Sequence, residues 1–144
     1  MSTDLYNWTD LGVALRAVTS KSQLTDKSNA DYAYFDKAYN LTKSDGSVDA
    51  AKADAIFPYL NTNPDQDGDG AVDSVQGIFE RPKIIYNKKN KQYVLWWHSD
   101  GSTTPGGSNY ARALAGVAVS DNPAGPFTMV GAYRLPNQNN WKEA

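Results

Sequence analysis

The sequence predicts a mainly β fold: a partial β-propeller, about one antiparallel four-stranded blade plus a flanking strand, with a helical insertion that carries a calcium loop. Three observations lead there. After Gly77, four apolar runs of similar length follow one another, each joined to the next by a polar or Pro/Gly-rich loop. From Lys21 to Leu60 the apolar residues fall at helical spacing instead. Between these regions lies "DQDGDGAVD", with carboxylates at alternate positions.

The elements can be justified in order. "STDLYNWTDLGVAL" reads as a polar turn around Asp4 to Trp8 followed by an apolar strand from Leu11 to Leu15. In "NADYAYFDKAYNL", Tyr32, Phe35 and Tyr39 stand at i, i+3 and i+7, one face of a helix. Asp49 is a natural N-cap for the Ala-rich helix that follows, which should end near Pro58. Val48, Ile56 and Leu60 should bury against the rest. "IIYNKKNKQYVLWWHSD" is a hairpin of two apolar strands around the polar loop Asn87–Asn90. "YARALAGVAVSD" makes a third strand, because its Val-rich end lies between two loop clusters; "NPAGP" turns, and "FTMVGAYRL" makes the fourth. Four strands in a meander have the form of a propeller blade.

One blade cannot bury both of its faces, so the chain reads as a piece of something larger. On this reading residues 1–20 end a preceding blade and 21–76 are the helical insertion. Residues 77–136 form the blade, and 137–144 start a linker to a missing one. Its partners are then the remaining blades of the parent chain, and open edge strands invite self-association.

Composition narrows the function. The 144 residues carry a net charge of −2, and Lys and Arg are scattered, which argues against a nucleic-acid partner. No apolar run approaches the roughly 20 residues of a membrane span, and the polar start "MSTDL" is no signal peptide. There is no Cys, hence no disulfide and no thiolate chemistry. Nine Tyr and four Trp suit a sugar-handling surface, although they also suit a β-sheet core.

In the acidic loop, Asp65, Asp67 and Asp69 occupy positions 1, 3 and 5 of a Ca²⁺-wrapping pattern, with Gly70 at 6 and Asp73 at 9. The Ala71 carbonyl would be the backbone ligand at position 7. Position 12, usually a bidentate Glu, is Gln76, a weaker neutral ligand. The other reading is a solvated acidic turn. A structural calcium here would brace the strand that follows.

The segment "ERPKIIYN…YVLWWHSDG…NYARALAGVAVSDNPAGPF" resembles glycoside hydrolase family 43, in particular the branch of exo-β-1,3-galactanases. The matching blocks are 80–83, 93–98, 110–111, 116–121 and 123–127, with a further likeness at the N-terminal segment, so the match covers roughly residues 2–18 and 77–136. The resemblance implies a five-bladed propeller that hydrolyses glycosidic bonds with inversion. It implies that Glu80, at the start of a channel-lining strand, is the candidate catalytic carboxylate, contacting the sugar or tuning the acid without being the acid. Tyr110, Trp97 and His98 are the candidate substrate contacts. Alternation would put Glu80, Pro82, Ile84 and Tyr86 on one strand face.

Several roles stay open on the sequence alone. Glu80 could instead make a surface ion pair with Arg81 or Lys83. His98, the only histidine, is a scaffold residue or a pocket wall. Arg112 clamps Glu80 or sits on the surface. The acid of family 43 lies in a later blade, so this stretch supplies one pocket carboxylate without a catalytic partner and should be inactive alone. Polysaccharide hydrolysis with calcium implies a secreted or periplasmic parent protein. The competing class is a calcium-stabilised carbohydrate-binding or adhesin-type module without catalysis. A dockerin-like, protein-binding insertion is disfavoured because only one good loop is present.

Overall fold

The computed structural model describes Asp4 and residues 6–134. Three helices precede a four-stranded sheet: α1 (Ser22–Thr25), α2 (Tyr32–Tyr39), α3 (Ala50–Leu60), β1 (Gly77–Asn87), β2 (Gln92–Gly101), β3 (Leu114–Ser120) and β4 (Thr128–Tyr133). The strands pair antiparallel in the order β1-β2-β3-β4, so the sheet is a meander with the form of a single blade. The expected tail and linker, 137–144, lie outside the described residues.

The helices form where their apolar spacing demands. Tyr32, Phe35 and Tyr39 are all buried, and α2 stops at Asn40, which adopts the left-handed conformation that closes many helices. The Asp49 side chain accepts from Lys52 N and caps α3. Pro58 does not end that helix, which runs on to Leu60.

The helical segment shares one core with the sheet. Phe35, Phe57 and Leu60 pack with Leu95, Trp97, Ala118, Phe127 and Met129 in a single buried cluster. Two polar links tie α2 to β4: Thr128 Oγ1 donates to the Ala38 carbonyl, and Met129 N donates to the Tyr39 hydroxyl. Only one sheet face is covered this way. The other carries Ile85, Trp96 and Tyr133, all more than 40 % exposed.

The flanking strand expected over Leu11–Leu15 is not formed. A strand needs a ladder partner, and among the described residues this segment has none: Ala14 O accepts a single bond from Phe127 N, and Val18, beyond it, makes an isolated bridge to Asn61 at the end of α3. Leu11 and Val13 remain exposed.

The alternation expected along β1 also breaks. Glu80 pairs with His98, but Lys83 pairs with Trp96, so Arg81 and Pro82 together face one residue of β2. This is a β-bulge, and Pro82 explains its position, because proline has no N–H to offer the ladder. Arg81 takes φ +54° to make room. The extra residue reverses parity, so Glu80 shares a face with Lys83 and Ile85. Ile84 and Tyr86 lie on the opposite face.

Candidate functional site

The bulge leaves Glu80 at the open face beside His98, near the end where β1 begins and β2 finishes. His98 Nδ1 lies 3.2 Å from Glu80 Oε2, and its Nε2 lies 3.1 Å from Asp100 Oδ2. The imidazole therefore spans two carboxylates. The loop after β2 brings in a fourth group, as the Tyr110 hydroxyl donates to Glu80 Oε1 at 3.0 Å.

Asp100 holds this arrangement together. Its side chain is 2 % exposed, and its Oδ1 accepts three backbone N–H groups, from Gly101, Arg112 and Ala113. The last two fold the loop back onto β2 and thereby place Tyr110. Gly101 makes the turn possible: it sits at φ +138°, where an added Cβ would lie 2.0 Å from the Gln76 carbonyl oxygen.

The electrostatics follow from these bonds. His98 and then Tyr110, hydrogen-bonding to Glu80, hold its carboxyl below the usual range. The same bond, with the charge of Glu80, pushes the Tyr110 phenol up and keeps it a donor. Burial raises Asp100, but the backbone donors of Ala113, Gly101 and Arg112 outweigh it and leave it below its ordinary value. A cleft of about 430 Å³ opens beside the imidazole, bordered by Arg81, His98, Ala115 and Tyr133 among others.

The sequence-predicted residues thus divide. Glu80, His98 and Tyr110 come together, and Glu80 pairs with neither Arg81 nor Lys83 among the hydrogen bonds and ion pairs of the described residues. Trp97, expected at the sugar, packs in the core: it is 4 % exposed, stacks on Phe79 with ring centroids 5.8 Å apart and lies over Gly116, while also bordering the cleft beside His98. Its neighbour Trp96, 42 % exposed, lies on the face of Glu80. Arg112 neither clamps Glu80 nor sits on the surface. It is buried, donating to the carbonyls of Pro58 and Ser102 and resting against the Tyr59 ring.

Asp100 is the residue that sequence reasoning missed. In "HSDGS" it looks like an ordinary turn aspartate. The available signal was its i+2 spacing from His98, which on a strand puts both side chains on one face.

In the acidic loop, Asp65, Asp67 and Asp73 bring one carboxylate oxygen each within 4.8 Å of one another. Asp65 also accepts from Gly68 N and Gly70 N, and Asp73 from Gln66 N. Asp69 stands outside the group, capping Ala71 N. Gln76 turns its amide toward the Thr62 carbonyl, and its backbone N–H donates to Ser102 Oγ. The expected ligand set is therefore only partly assembled.

No protein-family model and no curated protein matches the chain. Solved structures do. The exo-β-1,3-galactanase of Phanerochaete chrysosporium, solved with β-1,3-galactotriose and with galactose, is 42 % identical over 46 % of this chain and 14 % of its own, with a TM-score of 0.36. This chain resembles glycoside hydrolase family 43. A family 43 β-1,3-galactosidase, solved with galactodeoxynojirimycin, is 26 % identical over 93 % of this chain and 24 % of its own, with a TM-score of 0.49. The chain spans less than a quarter of the length of each of these family 43 proteins.

Proposed function

We propose that this chain is part of a family 43-like glycoside hydrolase that cleaves β-1,3-linked galactan side chains with inversion, and that it supplies part of the sugar pocket. The observation that carries the reading is the convergence of Glu80, Tyr110 and His98 on the open sheet face. A carboxylate fixed at both oxygens, beside a cleft, suits the hydroxyls of a sugar ring. Inverting hydrolysis needs an acid to protonate the leaving oxygen and a base to activate water on the opposite side of the ring. Glu80 serves neither step here; it orients the sugar or tunes the acid contributed by the rest of the parent protein, which acts outside the cell or in the periplasm.

Calorimetric titration with β-1,3-linked galactobiose tests this. Binding by this chain should fall at least tenfold in Glu80→Ala. Equal binding by the variant would remove Glu80 from the pocket. No binding by either protein, both folded, would mean that the pocket is not built by this stretch. Turnover by no parent protein, with sugar binding intact, would favour a carbohydrate-binding module.

The acidic loop is proposed to hold a structural Ca²⁺ through Asp65, Asp67 and Asp73. Support comes from the alternating spacing and from Ca–O distances of about 2.3–2.6 Å, which three oxygens this close can satisfy around one ion. Such an ion would neutralise the clustered carboxylates just before β1. Calcium should raise the melting temperature of the chain by several degrees, and Asp65→Ala with Asp67→Ala should abolish that rise. A melt indifferent to calcium in the unaltered chain would make the loop a solvated turn.

A further inference from the structure

The loop that carries Tyr110 has little of its own to hold it. Residues 103–111 are exposed, Gly107 only partly so, and they bury no apolar side chain. The hydrogen bonds within the loop are short-range: Gly107 N donates to the Thr104 carbonyl, and Tyr110 N donates to Ser108 Oγ. Yet the Tyr110 hydroxyl is brought to Glu80 Oε1. The order comes from the two residues that bound the loop, Ser102 and Arg112, which are both buried.

Arg112 closes the base of the loop from three directions. Its backbone N–H donates to Asp100 Oδ1, its Nη2 donates to the Ser102 carbonyl, and its Nη1 donates to the Pro58 carbonyl. The second bond joins the two ends of the loop. The third leaves the loop and reaches the last turn of α3. Carbonyls at a helix end lack intrahelical donors, and Thr62 N, four residues beyond Pro58, donates to Val18 O instead. Pro58 O is therefore open to Arg112. The guanidinium also rests against the Tyr59 ring, 5.3 Å from its centroid.

We propose that Arg112 is a positioning residue for Tyr110: it fastens the base of the 103–111 loop to the last turn of α3, holds the phenol at Glu80, and so makes the helical segment a support of the pocket. The chemistry of the side chain suits this task. A planar guanidinium offers N–H groups at fixed angles, so bridging two carbonyls sets their separation. No ion pair of the described residues involves Arg112, and its donors go to main-chain groups of distant segments. Such a buried cation is a weak source of stability but a firm geometric tie. On the proposed-function reading, on which this consequence rests, Tyr110 then meets the sugar in one fixed place.

The contact between Tyr110 and Glu80 can be read without sugar. The chain has two glutamates, Glu80 and Glu143, so a ¹³C-carboxyl glutamate label gives two signals, and Glu80→Gln assigns them. After His98, the Tyr110 hydrogen bond is the next cause holding the Glu80 carboxyl low, with the Arg81 charge contributing less. Tyr110→Phe should therefore raise the Glu80 titration midpoint. Arg112→Met, which keeps the apolar stem and loses the fork, should raise it too, and should raise it no further when added to Tyr110→Phe. A midpoint unmoved by Tyr110→Phe, or by Arg112→Met in a folded protein, overturns the proposal. So does an undiminished rise on the Tyr110→Phe background, which would mean that the guanidinium acts on Glu80 by its charge alone. Arg112→Lys cannot span both carbonyls with a planar fork. It carries the test if the Met variant does not fold, and an unmoved midpoint there overturns the proposal as well. Galactobiose is titrated last: affinity should fall roughly tenfold in Tyr110→Phe and Arg112→Met alike, and no further in the double variant. The expected midpoints with no galactobiose binding by any of these proteins, the parent included, would keep Arg112 as the positioning residue of Tyr110 and refute the pocket.

Discussion

Asp100→Ala is expected to destabilise the chain by about 3 kcal/mol, a large effect for one side chain outside the apolar core. The substitution removes the acceptor of three backbone N–H groups at once and leaves His98 Nε2 without its partner. Each buried donor left unsatisfied costs roughly 1–3 kcal/mol, less where water can reach it. The backbone adds to the effect. Ala113 sits at φ +47°, a conformation unfavourable for any residue with a Cβ, and its N–H is one of those Asp100 holds. Without that bond the loop loses its reason to fold back, and Tyr110 loses its place over Glu80. Asp100→Asn, which keeps one oxygen, should cost about 1 kcal/mol. The comparison is made by urea unfolding of the three proteins. An Ala variant within about 0.5 kcal/mol of the parent, the scatter of ordinary surface changes, would show that solvent replaces the carboxylate without loss.

Much of the fold was legible because local chemistry and tertiary packing agree. Tyr32, Phe35 and Tyr39 point to a helix face by spacing and are buried on one; Asp49 is a cap by residue type and caps. The meander follows from apolar runs separated by turn residues, and its hairpin turn falls at Lys88–Lys91, one residue later than expected. Where reading failed, the deciding partner was distant in sequence. A bulge is a relation between two strands, so the parity of β1 could not be read from β1 alone, although Pro82 marked the place. The segment from Leu11 to Leu15 has strand composition, but composition supplies no ladder partner. In the site, the residues that stand beside the motif positions were found, and those acting through backbone contacts were not. Asp100 and Arg112 bond to main-chain groups far along the chain, Arg112 to Pro58 among them, and nothing in their own neighbourhood announces that. The adjacent pair Trp96 and Trp97 shows the same limit: alternation says that they face opposite sides, and only the packed helices decide which side is the core.

That decision has a measurable consequence. Trp97→Ala is expected to cost about 3–5 kcal/mol, the range for deleting a large aromatic from a packed interior. The ring is 4 % exposed, stacks on Phe79 and covers Gly116, where a Cβ would stand 2.1 Å from the indole. Gly116 and Trp97 are therefore one packing unit across β2 and β3. Trp97→Phe should cost far less than the Ala variant. It keeps a ring for the Phe79 stack, and the group it removes, the indole N–H, is buried with no hydrogen-bond partner among the described residues. Trp96→Ala, on the open face, should cost less than Trp97→Ala, because Trp96 is 42 % exposed and keeps much more of its surface in water. Sugar binding separates the two roles further. Galactobiose affinity measured under conditions where the Trp97 variants remain folded should match the parent, since the ring offers almost no surface to a ligand. A Trp97→Phe protein with full stability but at least tenfold weaker sugar binding would return this residue to the pocket and overturn its assignment to the core.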